Sequence, residues 1–278
     1  MELLIKYPMT ASMIFRASRN FKNPYGSIGT LRNELKSLHD GEWIQRQKLP
    51  SVRKGEREFI YFPSKKIKRV DCFEEHQLSD ATFEGFSGHE WHAEAVSDFM
   101  SHVERCAGTI KERVQILCTV QDRYFQQAVH VTFLGDDKQT ALEPDHVLVV
   151  KIDGAINLLF LELWNQPALA NPRKPASISR SIRFRMAKYK SFAGNFRQNH
   201  QVRQWETEFR HRFKGFRVLM VTTRGDAPRN RMLSIAKNDG YRSMFYFATM
   251  DDIRQSANIF TKPVWHLPNG KVRGLIDD

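Results

Sequence analysis

The sequence predicts an α+β chain in two parts, a small helix–turn–helix–hairpin unit followed by a larger α/β sandwich. Three observations carry this. Apolar residues recur at helical spacing twice within the first forty positions, and two short strand patterns joined by a charged tip follow them. Beyond residue 88 the patterns run helix, strands, helix, strand. The length of 278 residues suits two domains, because single cores stop growing at roughly 250–300 residues. We divide the chain into 1–70, a linker at 71–87, and 88–278.

In the first part, Thr10 or Ser12 caps a short helix carrying Met13, Ile14 and Ala17, and the turn Asn23-Pro24-Tyr25-Gly26 follows. A second helix is expected from about Ser27 to His39. Ile28, Leu31, Leu35 and Leu38 fall on one face, while Arg32, Asn33, Lys36 and Ser37 fall on the other. Asp40-Gly41 stops it. Trp43–Leu49 alternates as a strand, Arg53-Lys54-Gly55-Glu56-Arg57 forms a charged tip, and Glu58–Phe62 returns. Helix, turn, helix and hairpin is the order of a winged helix-turn-helix. Its second helix fits the major groove and its basic hairpin tip lies along phosphates. A protein-interaction module is the alternative for the same pattern.

In the second part, a helix is expected from about His89 to Cys106, with Trp91, Ala95, Phe99 and Val103 at i+4 spacing. Strands are expected at Val114–Val120 and Ala128–Leu134, with a turn at Gly135–Lys138. Pro144–Val150 and Ile156–Trp164 form a hairpin around Asp153-Gly154. A Pro-rich loop leads to a basic helix at about Ile178–Phe192, and another helix follows near Val202–Phe213. Phe216–Thr223 reads as a buried strand, Asp226–Asn238 as a helix and Met244–Thr249 as a last strand.

Charge is segregated along the chain. Residues 1–70 hold 15 basic and 6 acidic side chains, and residues 71–170 hold 6 and 17. Residues 171–217 hold 13 and 2, so two basic segments flank an acidic one within a formal net charge of +12. That distribution points to a polyanion met in two places, and nucleic acid fits it. Arg180, Arg183, Arg185, Lys188 and Lys190 crowd one helix that has no acidic residue nearby in sequence. We therefore expect phosphate contacts from Arg180, Arg183 and Arg185, alongside Arg32, Lys36, Arg53, Lys54 and Arg57 in the first unit.

Several function classes are excluded at this level. The longest strongly apolar run, Ala155–Trp164, is too short to cross a bilayer, which needs about 20 residues. No basic n-region precedes an apolar stretch at the N-terminus, so no signal peptide is expected. Cys72, Cys106 and Cys118 make neither a disulfide framework nor a four-cysteine zinc site, and a reducing cytoplasm is the expected location. His89-Glu90-Trp91-His92 lacks the spacing of a zinc-protease helix, and no Gly-rich phosphate loop occurs. Glu94 and Asp98, spaced i, i+4, face the sheet edge or water.

One constellation carries chemistry. Pro144-Asp145 opens one strand and Glu162 lies near the end of its hairpin partner, so the two carboxylates converge. Two hard oxygen ligands so placed suit Mg²⁺ or Mn²⁺, with water completing the shell. This is the layout of PD-(D/E)xK nucleases, in which a Lys follows two positions after the second acid. Here Trp164 occupies that position. Lys151, Arg185 or Lys188 could supply the charge instead, and we assign Lys188 to the role. The structural alternatives are a strand-opening turn for Asp145 and an ion pair with a helix Arg for Glu162.

From about Thr10 to Ile253 the layout resembles the replication-relaxation family of plasmid and mobile-element proteins. The carriers are Gly41-Glu42-Trp43-Ile44, Tyr61-Phe62, His89, Pro144-Asp145 and Phe160-Leu161-Glu162-Leu163-Trp164. Arg185 and Tyr189 at i, i+4, the strand Val218–Val221, and Arg229 and Arg231 complete them. The resemblance implies a winged helix joined to a restriction-endonuclease-like domain. It also implies a role in plasmid or mobile-element replication or maintenance, with duplex DNA and plasmid replication proteins as partners. Trp164 departs from the nuclease pattern, so the expectation is a DNA-binding protein whose nuclease-like domain is degenerate. An active Mg²⁺-dependent endonuclease using Asp145 and Glu162, and an adaptor for acidic proteins, are the alternatives.

Overall fold

A computed structural model describes residues 4, 8–20, 22–49, 58–69, 90–121, 125–133, 135–164, 175–241 and 243–276. Arg53, Lys54, Arg57 and the 71–87 segment lie outside the described residues. The protein is mixed α+β, with seven helices and twelve strands among the described residues. It divides into two compact units, Met1–Arg105 and Cys106–Asp278.

In the first unit, β1 (Met9–Thr10) runs into α1 (Ala11–Ala17), which Thr10 caps by accepting the Met13 N–H at 3.3 Å. Ser27 caps α2 (Ile28–Asp40) through the Thr30 N–H at 3.1 Å, and Gly41 ends it. Leu31 and Leu35 are buried, while Arg32, Asn33, Lys36 and Ser37 are exposed, as the 3-4 spacing requires. α1 packs on α2. β2 (Ile44–Lys48) and β3 (Phe59–Pro63) pair antiparallel, and β1 adds to the far side of β3, giving the order β1-β3-β2. Lys66 closes the C-terminus of α2: its Nζ donates to the Gly41 carbonyl at 2.8 Å and lies 4.6 Å from the centre of the Trp43 ring. The unit ends within α3 (Glu90–Thr109), where Asp98, 1 % exposed, pairs with Arg16 of α1. Asp98 thus faces neither water nor a sheet edge; a charge in so dry a place needs a partner, and α1 supplies it.

The second unit is built on a seven-stranded sheet of order β12-β11-β10-β9-β8-β7-β4. Its strands are β4 (Val114–Gln121), β7 (His146–Ile152), β8 (Ala155–Trp164), β9 (Phe216–Thr222), β10 (Phe245–Thr249), β11 (Trp265–His266) and β12 (Val272–Arg273). β4, β7 and β8 are antiparallel neighbours, whereas β8, β9 and β10 run parallel. Asp153 and Gly154, at φ 46° and 84°, make the tight β7–β8 turn. Parallel neighbours need crossovers, and helices supply them. α4 (Pro175–Asn195) and α5 (His200–Glu208) precede β9, while α6 (Asp226–Asn238) joins β9 to β10. α7 (Met250–Gln255) follows β10.

Side chains of α4, α5 and α6 meet one face of the sheet in a single apolar core containing Phe160, Phe192, Trp205, Phe213 and Phe245. The opposite face of β8, with Leu159, Leu161 and Leu163, is buried as well. Burial on both faces explains the unbroken apolar run of that strand.

The expected turn at Gly135–Lys138 is corrected. β5 (Gln127–Phe133) pairs with β6 (Asp136–Leu142) right up to Phe133 opposite Asp136. Gly135, at φ 88°, allows a two-residue loop, so Asp136, Asp137 and Lys138 continue as an exposed strand. Among the described residues, no helix is long and apolar enough to cross a membrane.

Candidate functional site

Two places bring sequence-expected site residues together, one in each unit. In the first, Arg32, Asn33 and Lys36 project from the solvent side of α2. Neither Arg32 nor Lys36 makes a hydrogen bond or ion pair among the described residues. Of the two acids on the same helix, Asp40 sits at its end beside His39, and Glu34 is engaged by the Tyr25 hydroxyl; burial first, and then Glu34, push that phenol up to about 12. Arg46 of β2 is also committed, lying 4.6 Å from the centre of the Phe59 ring and bonding to Tyr61. The side of α2 turned to solvent therefore carries two cations and an amide, with no carboxylate bonded to either cation among the described residues.

In the second unit, the register sets Asp145 opposite Glu162. His146 pairs with Leu161, and the Asp145 N–H donates to the Leu161 carbonyl at 2.9 Å. Directly opposed residues share a face, here the one carrying Phe160 and Trp164 beneath α4. The convergence expected from the sequence is present, but the carboxylates are engaged. Asp145 Oδ2 accepts the Leu163 N–H, holding the end of β8. Glu162, only 2 % exposed, accepts the Tyr189 hydroxyl on Oε1 at 2.7 Å and the Arg185 guanidinium on Oε2. Arg185 and Tyr189 are one helical turn apart on α4, so both reach the same carboxylate. Burial raises the Glu162 carboxyl to about 7, Asp145 adds to that, and Arg185 and Tyr189 pull it back. Burial also raises the Tyr189 phenol well above its usual range, so it stays a proton donor to Glu162.

This arrangement does not fit a divalent cation. Both Glu162 oxygens already accept bonds, and a guanidinium stands where a second positive charge would have to come. No group of three or more His, Cys, Asp or Glu suited to a metal occurs among the described residues.

Lys188, assigned to the nuclease Lys position, turns elsewhere. Its Nζ donates to the Ala141 carbonyl at 2.7 Å and lies 5.3 Å from the centre of the Phe184 ring. Burial and Arg185 lower its pKa. Trp164 is buried beside the pair; its ring centre is 5.8 Å from Arg185 Cζ, and its indole N–H has no partner among the described residues.

The basic row on α4 is partly spent on internal pairs, with Lys190 left exposed. Arg185 is spent on Glu162, and Arg183 Nε pairs with Asp239 Oδ2 at 3.2 Å. The side chain of Arg180 lies outside the described residues. Scarcity of nearby acids in sequence misled here, because the partners arrive from β8 and from the end of α6.

Sequence reasoning also missed a cluster beside β9 and β10. Arg229 of α6, 9 % exposed, bonds to Asp226 Oδ1 and Asp252 Oδ2, each at 2.9 Å. Asp252 also completes the Thr249 capping box of α7. The i, i+3 spacing of Asp226 and Arg229 and the Thr249-x-x-Asp252 pattern were the available signals. Comparison with protein-family models, with curated proteins and with solved structures finds no match to this chain, so its function is read from its own residues.

Proposed function

We propose that the protein binds duplex DNA through a winged helix in its first unit, with α2 as the reading helix. The observation that carries this is the solvent face of α2, where Arg32, Asn33 and Lys36 are exposed and neither cation is spent on a bond among the described residues. The sheet order β1-β3-β2 and the β2–β3 pair after α2 support the winged reading, as does the strongly basic composition of residues 1–70. Arg and Asn are side chains that bond bidentately to guanine and adenine edges in the major groove.

The second unit is a restriction-endonuclease-like scaffold that has lost cleavage. Supporting this are the antiparallel trio β4-β7-β8, the helical crossover to parallel β9, and the Asp145–Glu162 pair at the strand ends. With Glu162 bonded to Arg185 and Tyr189, the pair is structural in this reading, and the DNA contact falls to the first unit. The resemblance to replication-relaxation proteins extends the reading to plasmid or mobile-element replication or maintenance.

Duplex affinity measured against salt tests the reading. Each phosphate contact adds about 0.9 to the slope of log affinity against log salt. Arg32→Ala with Lys36→Ala should lower affinity and either flatten the slope or relax sequence preference, whereas Arg183→Ala should do neither. Salt-independent retention, or equal effects of all three changes, would defeat it.

A further inference from the structure

We propose that Arg185 is a built-in counter-ion for the Asp145–Glu162 pair, held in place by Trp164, and that it keeps divalent metal out of the second unit. The inference goes beyond DNA binding and is independent of it. It rests on four residues that fit one another. Glu162 is buried, and a buried carboxylate persists only with a charged or hydrogen-bonding partner on each oxygen. Arg185 supplies the charge and Tyr189 the second bond. A guanidinium does not lose its proton inside a protein, so its charge is as permanent as that of a resident cation.

Trp164 explains why this arrangement is stable. The face of its ring lies towards the guanidinium, with Cζ 5.8 Å from the ring centre, and an indole face attracts a cation. A Lys at position 164 would bring a second positive charge beside Arg185 and repel it. Trp164 at this position and the capture of Glu162 by Arg185 therefore suit one another. A divalent ion entering the site would have to expel the guanidinium from Glu162 and then sit next to it.

The test uses the full chain and Mn²⁺, read by electron paramagnetic resonance and by thermal unfolding, with no DNA present. The wild type should leave the free-ion Mn²⁺ spectrum unchanged and show no metal-dependent rise in melting temperature. Arg185→Met should bind Mn²⁺ and gain about 5 °C or more at roughly 100 times its Kd. Adding Asp145→Asn to Arg185→Met should abolish that gain. Arg185→Lys, which keeps the charge, should remain blind to metal. Wild-type Mn²⁺ binding that Asp145→Asn removes would overturn the proposal, as would an Arg185→Met protein that binds no more Mn²⁺ than wild type. Should Arg185→Met fold only poorly, its refolding yield becomes the readout: recovery in millimolar Mn²⁺ supports the proposal and no recovery overturns it.

Discussion

His146 makes the stability of the second unit depend on pH, and its position gives the size of the effect. The residue opens β7 and is 2 % exposed. Removal from water disfavours the imidazolium, and burial lowers its pKa from 6.5 to about 4, even though the neighbouring Asp145 pulls the other way. The folded chain thus keeps His146 neutral down to about pH 4, whereas the unfolded chain takes up a proton near 6.5. Its contribution is complete above pH 6.5 and is lost as the pH falls towards 4. The gap is roughly 2.5 pH units, and at ~1.4 kcal/mol for each the loss amounts to ~3–4 kcal/mol. That is a large share of the 5–15 kcal/mol that typically holds a domain together. Urea unfolding of wild type and His146→Gln between pH 7.5 and 4.5 isolates the effect, because subtraction removes groups common to both, Glu162 among them. The wild-type advantage should shrink by most of that amount over this range. A difference that stays flat would refute the argument.

Three further outcomes follow from packing and pairing. Phe160, fully buried with the rings of Phe125, Tyr189, Phe192 and Phe216 centred 5.1–5.7 Å away, should cost about 3–5 kcal/mol as Phe160→Ala in urea unfolding. Gly274→Ala should destabilise by about 1–3 kcal/mol, because a Cβ there would stand 2.3 Å from the Phe260 carbonyl oxygen, which already accepts the Ile276 N–H at 2.8 Å. A neutral result would mean the backbone yields freely at that point. Arg229→Ala should lower stability by about 1 kcal/mol, through the loss of the part-buried pair with Asp252, since Asp226 is 70 % exposed and water replaces its bond. Arg229→Lys should recover only part of the loss in the same assay, since a single ammonium lacks the guanidinium fork.

What the sequence determined by itself is local. The bounds of α6 at Asp226–Asn238, the Ser27 cap and apolar stripe of α2, and the Asp153-Gly154 turn all rest on interactions within about four residues. The opposition of Asp145 and Glu162 was legible for the same reason, because a tight turn fixes the register of the two strands it joins. The short segments β11, β12 and α7 were not, being too brief for a periodic pattern to show. The fate of the charges was decided only in three dimensions. Arg185 is 23 positions from Glu162, Arg183 is 56 from Asp239, and Arg16 is 82 from Asp98. Which cation meets which carboxylate depends on the strand order, on the face of the sheet each side chain takes, and on the helix laid over it. A basic run in sequence therefore records only the supply of charge. Burial decides which charges must be paired inside, and α2 holds exposed cations that no carboxylate among the described residues claims.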